Sequence, residues 1–445
     1  MSLVIELLII VLILYLVLMS REINDPFLKK VCWVSLGVRI GLSLMLYFIS
    51  FQQGNHGYWK FAQDAHLYNQ QGSLVADTIA IGQIPLVQAM TIYPYMVGIL
   101  YFLFGKNLLS AVFFNNLVGV FVVIMGYKTA KLVYSEEIAR ICALLLAFFP
   151  SHILFSAQAL KDSLVGLFFF LALYQGIKII RGEHRLWLYF LNIVTLLIFA
   201  LLRMYTAVFL GVAFLAGLLC GLAGTRKYKI MAASIGYLAF AFVIASAFMG
   251  FFGTQEFMGV RLDLAGVTGA SSNLMTGIIL KLSQLRTTFY AVGNAAIDKS
   301  VYFYSIGDIL LYLPRGLTNV FLQPFPWNWF IGSGIIQKLN APEMIVWYCL
   351  LAAAVPGIYK SWKTNRAVTL VFSVFVMLLS VTYAVVAANI GAIYRLRMLI
   401  QFVIFMFASV QLAETGLVKR YLGSKDREDR QEKDQFELLQ GQKDI

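Results

Sequence analysis

An all-helical, polytopic membrane protein is the fold class this sequence predicts, and three observations carry it. Hydrophobic residues fill 60% of the 445 positions and charged residues only 13%, against about 45–50% and about 25% in soluble domains. Mean hydropathy is +0.79. Apolar runs of spanning length, roughly 17–25 residues, recur from one end of the chain to the other. They lie near 3–19, 31–51, 108–126, 139–158, 163–180, 186–202, 204–223, 230–252, 343–359, 367–388 and 397–414, which predicts about eleven transmembrane helices.

The first run resembles the core of a signal peptide. No Lys or Arg precedes it, however, and only Met19-Ser20-Arg21 follows, so an uncleaved anchor is expected. Short basic loops separate many of the later runs: Arg21/Lys29/Lys30, Lys128/Lys131/Arg140, Lys178/Arg181/Arg185, Arg226/Lys227/Lys229 and Lys360/Lys363/Arg366. All of them fall on one side if two further apolar stretches do not cross. Tyr93 to Phe104 is too short to span, and Ile306 to Leu322 is interrupted by Asp308, Pro314 and Arg315. Both read as juxtamembrane helices at the outer surface. Of 35 lysines and arginines, 22 are then inside, with Arg39 within a span. The positive-inside rule therefore sets the N-terminus outside and the tail inside.

That rule also accounts for the net charge of +13. No basic stripe with interleaved aromatics is present, so a nucleic-acid partner is not expected. Cys32, Cys142, Cys220 and Cys349 lie in or beside apolar runs without a CxxC spacing, and read as apolar side chains. The organisation expected is an anchor and cytoplasmic loop (1–30), a transmembrane module (31–252) with a first outer loop at 52–107, and a second outer loop (253–341). C-terminal helices (342–416) and a charged cytoplasmic tail (417–445) complete it. Long loops of this kind are usually functional, whereas the tail has a disordered composition.

The residues that could carry chemistry sit at the outer ends of the runs. Asp64 lies in Gln63-Asp64-Ala65-His66-Leu67-Tyr68, sharing a helical face with Tyr68 at i+4 and Phe61 at i−3. A carboxylate bordered by aromatics near lipid loses water, which raises its pKa and suits a general base. The plainer reading is a loop aspartate capping a helix. Lys161-Asp162 forms a turn between two spans, either a simple helix end or a phosphate contact with a second acid beside it. Arg203 stands between two runs with almost no loop, and Arg395 and Arg397 open the last span. Arginine binds phosphate oxygens well; each could equally snorkel to headgroups. His56, His66, His152 and His184 make no metal-ligand spacing, and a divalent-cation requirement stays open. Gln323-Pro324-Phe325-Pro326-Trp327-Asn328-Trp329 reads as a sugar-site wall or an interfacial anchor.

The order of these features resembles the GT-C superfamily of polytopic glycosyltransferases, particularly protein O-mannosyltransferases and lipid A aminoarabinose transferases. That family has an Asp in the first outer loop, then an aromatic-proline stretch and an apolar juxtamembrane helix ending near Phe-Gly. Asp64, Tyr93-Pro94-Tyr95 and Leu100-Tyr101-Phe102-Leu103-Phe104-Gly105 match these. A span (108–126), a basic loop, a proline-containing span (Pro150) and a second outer Asp (Asp162) follow in the same order. The resemblance covers 31 to about 210 and otherwise rests on architecture. Asp64 lacks the adjacent acid of many relatives, and Ile92-Tyr93-Pro94 stands where some have Lys-Pro-Pro.

The resemblance implies an inverting hexosyl or pentosyl transferase in a prokaryotic plasma membrane, its active site facing outward among the membrane lipids. It would take a sugar from a polyprenyl-phosphate donor and pass it to a glycan, lipid or protein acceptor in the cell envelope. Asp64 and Asp162 would be catalytic. His66, Tyr68, Tyr93, Lys161, Arg203, Arg395 and Arg397 would bind substrate. A polysaccharide polymerase or ligase of the same fold is the near alternative, and a transporter or flippase for lipid-linked sugars the distant one.

Overall fold

The computed structural model describes residues 2–59, 63–85, 91–183, 185–220, 274–291, 295–329 and 335–415, with a small strand pair at Glu256–Phe257 and Val260–Arg261. The expected span at 230–252, the basic loop at Arg226–Lys229, Phe61 and the tail from 417 lie outside the described residues.

The first half of the chain builds a helical frame in order: α1 (Ser2–Met19), α2 (Pro26–Gln52), α3 (Gln63–Ala80), α4 (Tyr93–Phe104), α5 (Leu108–Val133), α6 (Glu136–Phe148), α7 (Pro150–Ser156), α8 (Asp162–Ile180) and α9 (Leu186–Cys220). Later come α10 (Leu274–Ala291), α11 (Ile306–Leu322), α12 (Ile335–Thr364), α13 (Arg366–Val386), α14 (Ile390–Leu396) and α15 (Met398–Leu412). Among the described residues six helices are long and apolar enough to cross a bilayer, or up to eight when the bent pairs α6–α7 and α14–α15 each count as one. The expectation of about eleven differs for three reasons. One run lies outside the described residues, the apolar part of α1 is only 17 residues long, and two runs meet at a kink within α9 and count as one.

That 35-residue element doubles back. Arg203, at φ −156° and ψ 85°, breaks it in the middle. At the break Arg203 binds Asp162, the first residue of α8. Near the other end of α8, a Cβ on Gly176 would stand 2.4 Å from the Phe214 ring. The second half of α9 therefore returns along α8, and each half of about 17 residues is ~25 Å long.

α4 is a 12-residue helix that forms a hairpin with α3. A Cβ on Gly98 would lie 2.3 Å from Val75, so the hairpin closes only because glycine stands there. The helix is ~18 Å long, short of the ~30 Å hydrocarbon core. The stretch read from sequence as a juxtamembrane helix is helical over Ile306–Leu322, and this α11 carries Pro314 inside it. Asp308 starts this helix, closing a capping box with Ser305.

Arg39 is fully buried in α2, and its role is backbone repair. Pro150 has no N–H to give Leu146, which helps bend α6 against α7 by 55°. The Arg39 guanidinium supplies the missing donor to the Leu146 carbonyl at 3.2 Å, and also reaches the His152 carbonyl and Ser156 Oγ. No water is available in such an interior to replace it. Arg39→Leu should destabilise the fold by about 2–4 kcal/mol, the cost of orphaning two or three buried acceptors. Denaturant unfolding in detergent, followed by tryptophan fluorescence, measures this. An unchanged midpoint would refute the repair role. Glu6 in α1 is also buried, a charged side chain that the reading of 3–19 as an apolar run passes over.

Candidate active site

Four charged residues far apart in sequence, Asp64, Asp162, Arg203 and Arg395, meet in one cluster. Asp162 occupies the first turn of α8, where the helix dipole favours a carboxylate. The turn before it is fastened by Asn115 of α5, whose amide donates to the carbonyls of Gln158 (2.6 Å) and Leu160 (2.8 Å). Arg203 arrives from the break in α9. Arg395 arrives from the last turn of α14, where the dipole favours a cation. Asn389 caps the start of that helix by accepting from Gly391 and Ala392.

These side chains form one chain of ion pairs. Arg203 Nη2 donates to Asp162 Oδ1 at 2.7 Å, and Arg395 Nε donates to Asp162 Oδ2 at 2.7 Å. The other edge of Arg395 reaches Asp64 Oδ2 at 2.5 Å through Nη1. The chain is graded in depth: the Asp162 side chain is 0% exposed, Arg395 19% and Asp64 48%. Of the aromatic border expected around Asp64, Tyr68 is buried and Phe61 lies outside the described residues. The α3 face that packs inward carries Ala65, Tyr68, Val75 and Ala76, which leaves position 64 on the rim beside a guanidinium.

Lys161 lies next to this network. Burial pushes its ammonium down to about 7, helped by repulsion from Arg203 and Arg395 and opposed by Asp162 and Asp64. With Lys161 protonated the five groups carry one uncompensated positive charge; with Lys161 neutral they balance. Arg203 Nη1 is buried and has no acceptor among the described residues. The cluster thus has unused donor capacity for an anion.

Other sequence candidates are placed differently. Tyr68 is buried edge-to-face on Tyr93, ring centroids 5.0 Å apart. The Tyr93 hydroxyl accepts from Asn115 at 2.9 Å, which ties α4 to the turn at 158–160. His66 is exposed and stacks on Tyr58 at 3.7 Å. Arg397 does not join the cluster. It is fully buried, donates to the carbonyl of Gln323 at 2.8 Å and lies 5.0 Å from the Trp347 ring centroid. Asn115 escaped the sequence reading, although an Asn-Asn pair at 115–116 inside an apolar span is itself a signal. Among the described residues, no three His, Cys, Asp or Glu side chains converge on a possible metal position.

Residues 90–251, about a third of the chain, match the family described as dolichyl-phosphate-mannose-protein mannosyltransferase. No curated protein and no solved structure matches. The family match supports the GT-C superfamily and points to a membrane glycosyltransferase that uses lipid-linked sugar donors.

Proposed function

We propose that this chain is an inverting glycosyltransferase acting at the outer face of a prokaryotic plasma membrane. It takes a hexose or pentose from a polyprenyl-phosphate donor and passes it to an envelope glycan, lipid or protein. The observation that carries this reading is the ion-pair chain Asp64–Arg395–Asp162–Arg203 with Lys161 beside it. It joins a partly open carboxylate to a buried bank of cations. The positive-inside distribution supports the outward orientation, and a topology of eleven crossings puts Asp64 and Asp162 on that side.

In this mechanism the donor phosphate recruits Lys161 and Arg395, drawing Arg395 away from Asp64. The freed Asp64 carboxylate takes the proton of the acceptor hydroxyl. The acceptor oxygen then attacks the anomeric carbon as its bond to the phosphate oxygen breaks, and the electron pair leaves with polyprenyl phosphate. Lys161, Arg395 and the spare N–H of Arg203 stabilise the charge that develops on the leaving oxygen. Asp162 positions both arginines.

Detergent micelles provide the test, because sidedness vanishes there. The purified chain, given polyprenyl-phosphate hexoses and pentoses with a glycan acceptor, should release free polyprenyl phosphate. Movement of those lipids across liposomes with no release in detergent would make the chain a carrier instead.

Lys161 also imposes a pH dependence. Its protonated form predominates below about 7, so kcat/KM for the donor should fall as pH rises through that value in the free enzyme. Lys161→Arg, always charged, should flatten this alkaline limb, whereas Lys161→Ala should lower kcat/KM at acidic pH. An unaltered limb in Lys161→Arg would assign the titration to another group.

A further inference from the structure

A concavity opens between α11 and the segment after it. Its volume is about 470 Å³, within the ~300–1,000 Å³ typical of small-molecule sites. Asp298, Arg315, Asn319, Gln323, Phe325 and Trp327 line it. Its walls are tied to both ends of α14, the helix that carries Arg395. At one end the Ile390 N–H donates to the Ala295 carbonyl at 3.0 Å and the Ile297 N–H to the Ala388 carbonyl at 2.9 Å. At the other, Arg397 holds the Gln323 carbonyl.

The chemistry of the lining is specific. The Asp298 side chain is 7% exposed, and its carboxylate accepts from the Tyr312 hydroxyl at 2.8 Å, Asn319 Nδ2 at 3.0 Å and Arg315 Nε at 3.2 Å. Arg315 pairs with this acid from the open side, and behind the floor the fully buried Arg286 guanidinium donates to the Tyr312 hydroxyl at 2.8 Å, so the floor offers oriented dipoles whose charges are paired or enclosed. Gln323 is buried, its amide nitrogen directed to Asn319 Oδ1, and its Oε1 has no partner among the described residues. A buried acceptor left open carries a desolvation cost that a hydroxyl donor from a ligand would remove. Above this floor Phe325 and Trp327 stack at 4.6 Å and 14°, with Trp327 65% exposed.

A flat, open indole beside a hydrogen-bonded set of donors and acceptors fits the two faces of a pyranose: its C–H face and its hydroxyl rim. An anion would compete with Asp298 for Arg315 and could not reach the enclosed Arg286. A purely apolar ligand would leave Gln323 Oε1 unsatisfied. We propose that this cleft is a saccharide subsite that seats a neutral sugar of the acceptor next to the ion-pair cluster. The word acceptor rests on the glycosyltransferase reading; the binding of sugar does not.

The test is ligand-observed NMR titration of the full-length chain in lipid nanodiscs with mannotriose, cellotriose and a chitin trisaccharide. At least one should bind saturably. Trp327→Ala should weaken that binding about tenfold, while Trp327→Phe, which keeps an aromatic face, should retain most of it. Asp64→Asn should bind as the wild type does, so loss of chemistry and loss of sugar binding are separable. Failure of all three sugars to bind the wild type would overturn the proposal. Unchanged affinity in Trp327→Ala would also overturn it, leaving Trp327 as an interfacial anchor.

Discussion

Asp64→Asn is expected to slow sugar transfer by about 10²–10⁴ while sparing the fold and donor binding. Asparagine keeps the oxygen that accepts from Arg395 and changes side-chain volume very little. It cannot take a proton from an acceptor hydroxyl. The Asp64 side chain is 48% exposed, and ion pairs so open to solvent are worth little. Unfolding in detergent should therefore be nearly unchanged. The loss should appear in kcat, because basicity is used only as the acceptor proton leaves, and the KM for the donor should not rise. Single-turnover release of polyprenyl phosphate measures the effect directly. A variant that transfers at a rate close to the wild type would remove Asp64 from the role of base and leave it as a gate on Arg395.

Part of this site can be read from residue order, and part depends on how the helices bend. Arg203 is legible because two apolar runs meet there with no loop, so its charge must lie at a turn. Lys161-Asp162 is legible for the same reason. Arg395 and Arg397 look equivalent in sequence, yet residues two apart on a helix point to nearly opposite sides. Only one can face Asp162. It is Arg395 that does so, while Arg397, at the 52° bend between α14 and α15, turns to the Gln323 carbonyl, and no local pattern tells the two apart. Arg39 is visible as a misplaced charge, but its partners, among them the Leu146 carbonyl freed by Pro150, lie more than a hundred residues away. The Asp298 floor is hidden for a similar reason, since its partners are gathered from α11 by tertiary packing. Pro314 marks a limit of local rules. A proline that breaks a helix in isolation is carried here within α11, which packs against α13 with Gly316 in close contact with Ala384.

Asp162→Ala should destabilise the protein by about 3–5 kcal/mol, the cost of removing one partner from a buried ion pair. Asp162 is fully enclosed and carries a guanidinium on each carboxylate oxygen. Without it, Arg203 stays buried with no counter-charge, and Arg395 keeps only the half-exposed Asp64. Water cannot reach the deeper guanidinium, so the penalty is not relieved by hydration. Asp162→Asn should be nearly as harmful. It preserves shape, but its amide N–H₂ faces one of the two guanidinium donors, replacing an attraction with a donor–donor contact. The double variant Asp162→Asn/Arg203→Met separates charge from packing. Removing the stranded cation along with the acid should recover much of the lost stability, as buried pairs replaced on both sides often do. It should recover no transfer activity, because the arginine that stabilises the leaving phosphate is gone. Denaturant unfolding in detergent and polyprenyl phosphate release, measured on the same preparations, read out the two effects. A loss below about 1 kcal/mol in Asp162→Ala would match a solvated surface pair and contradict the buried geometry on which the leaving-group site depends.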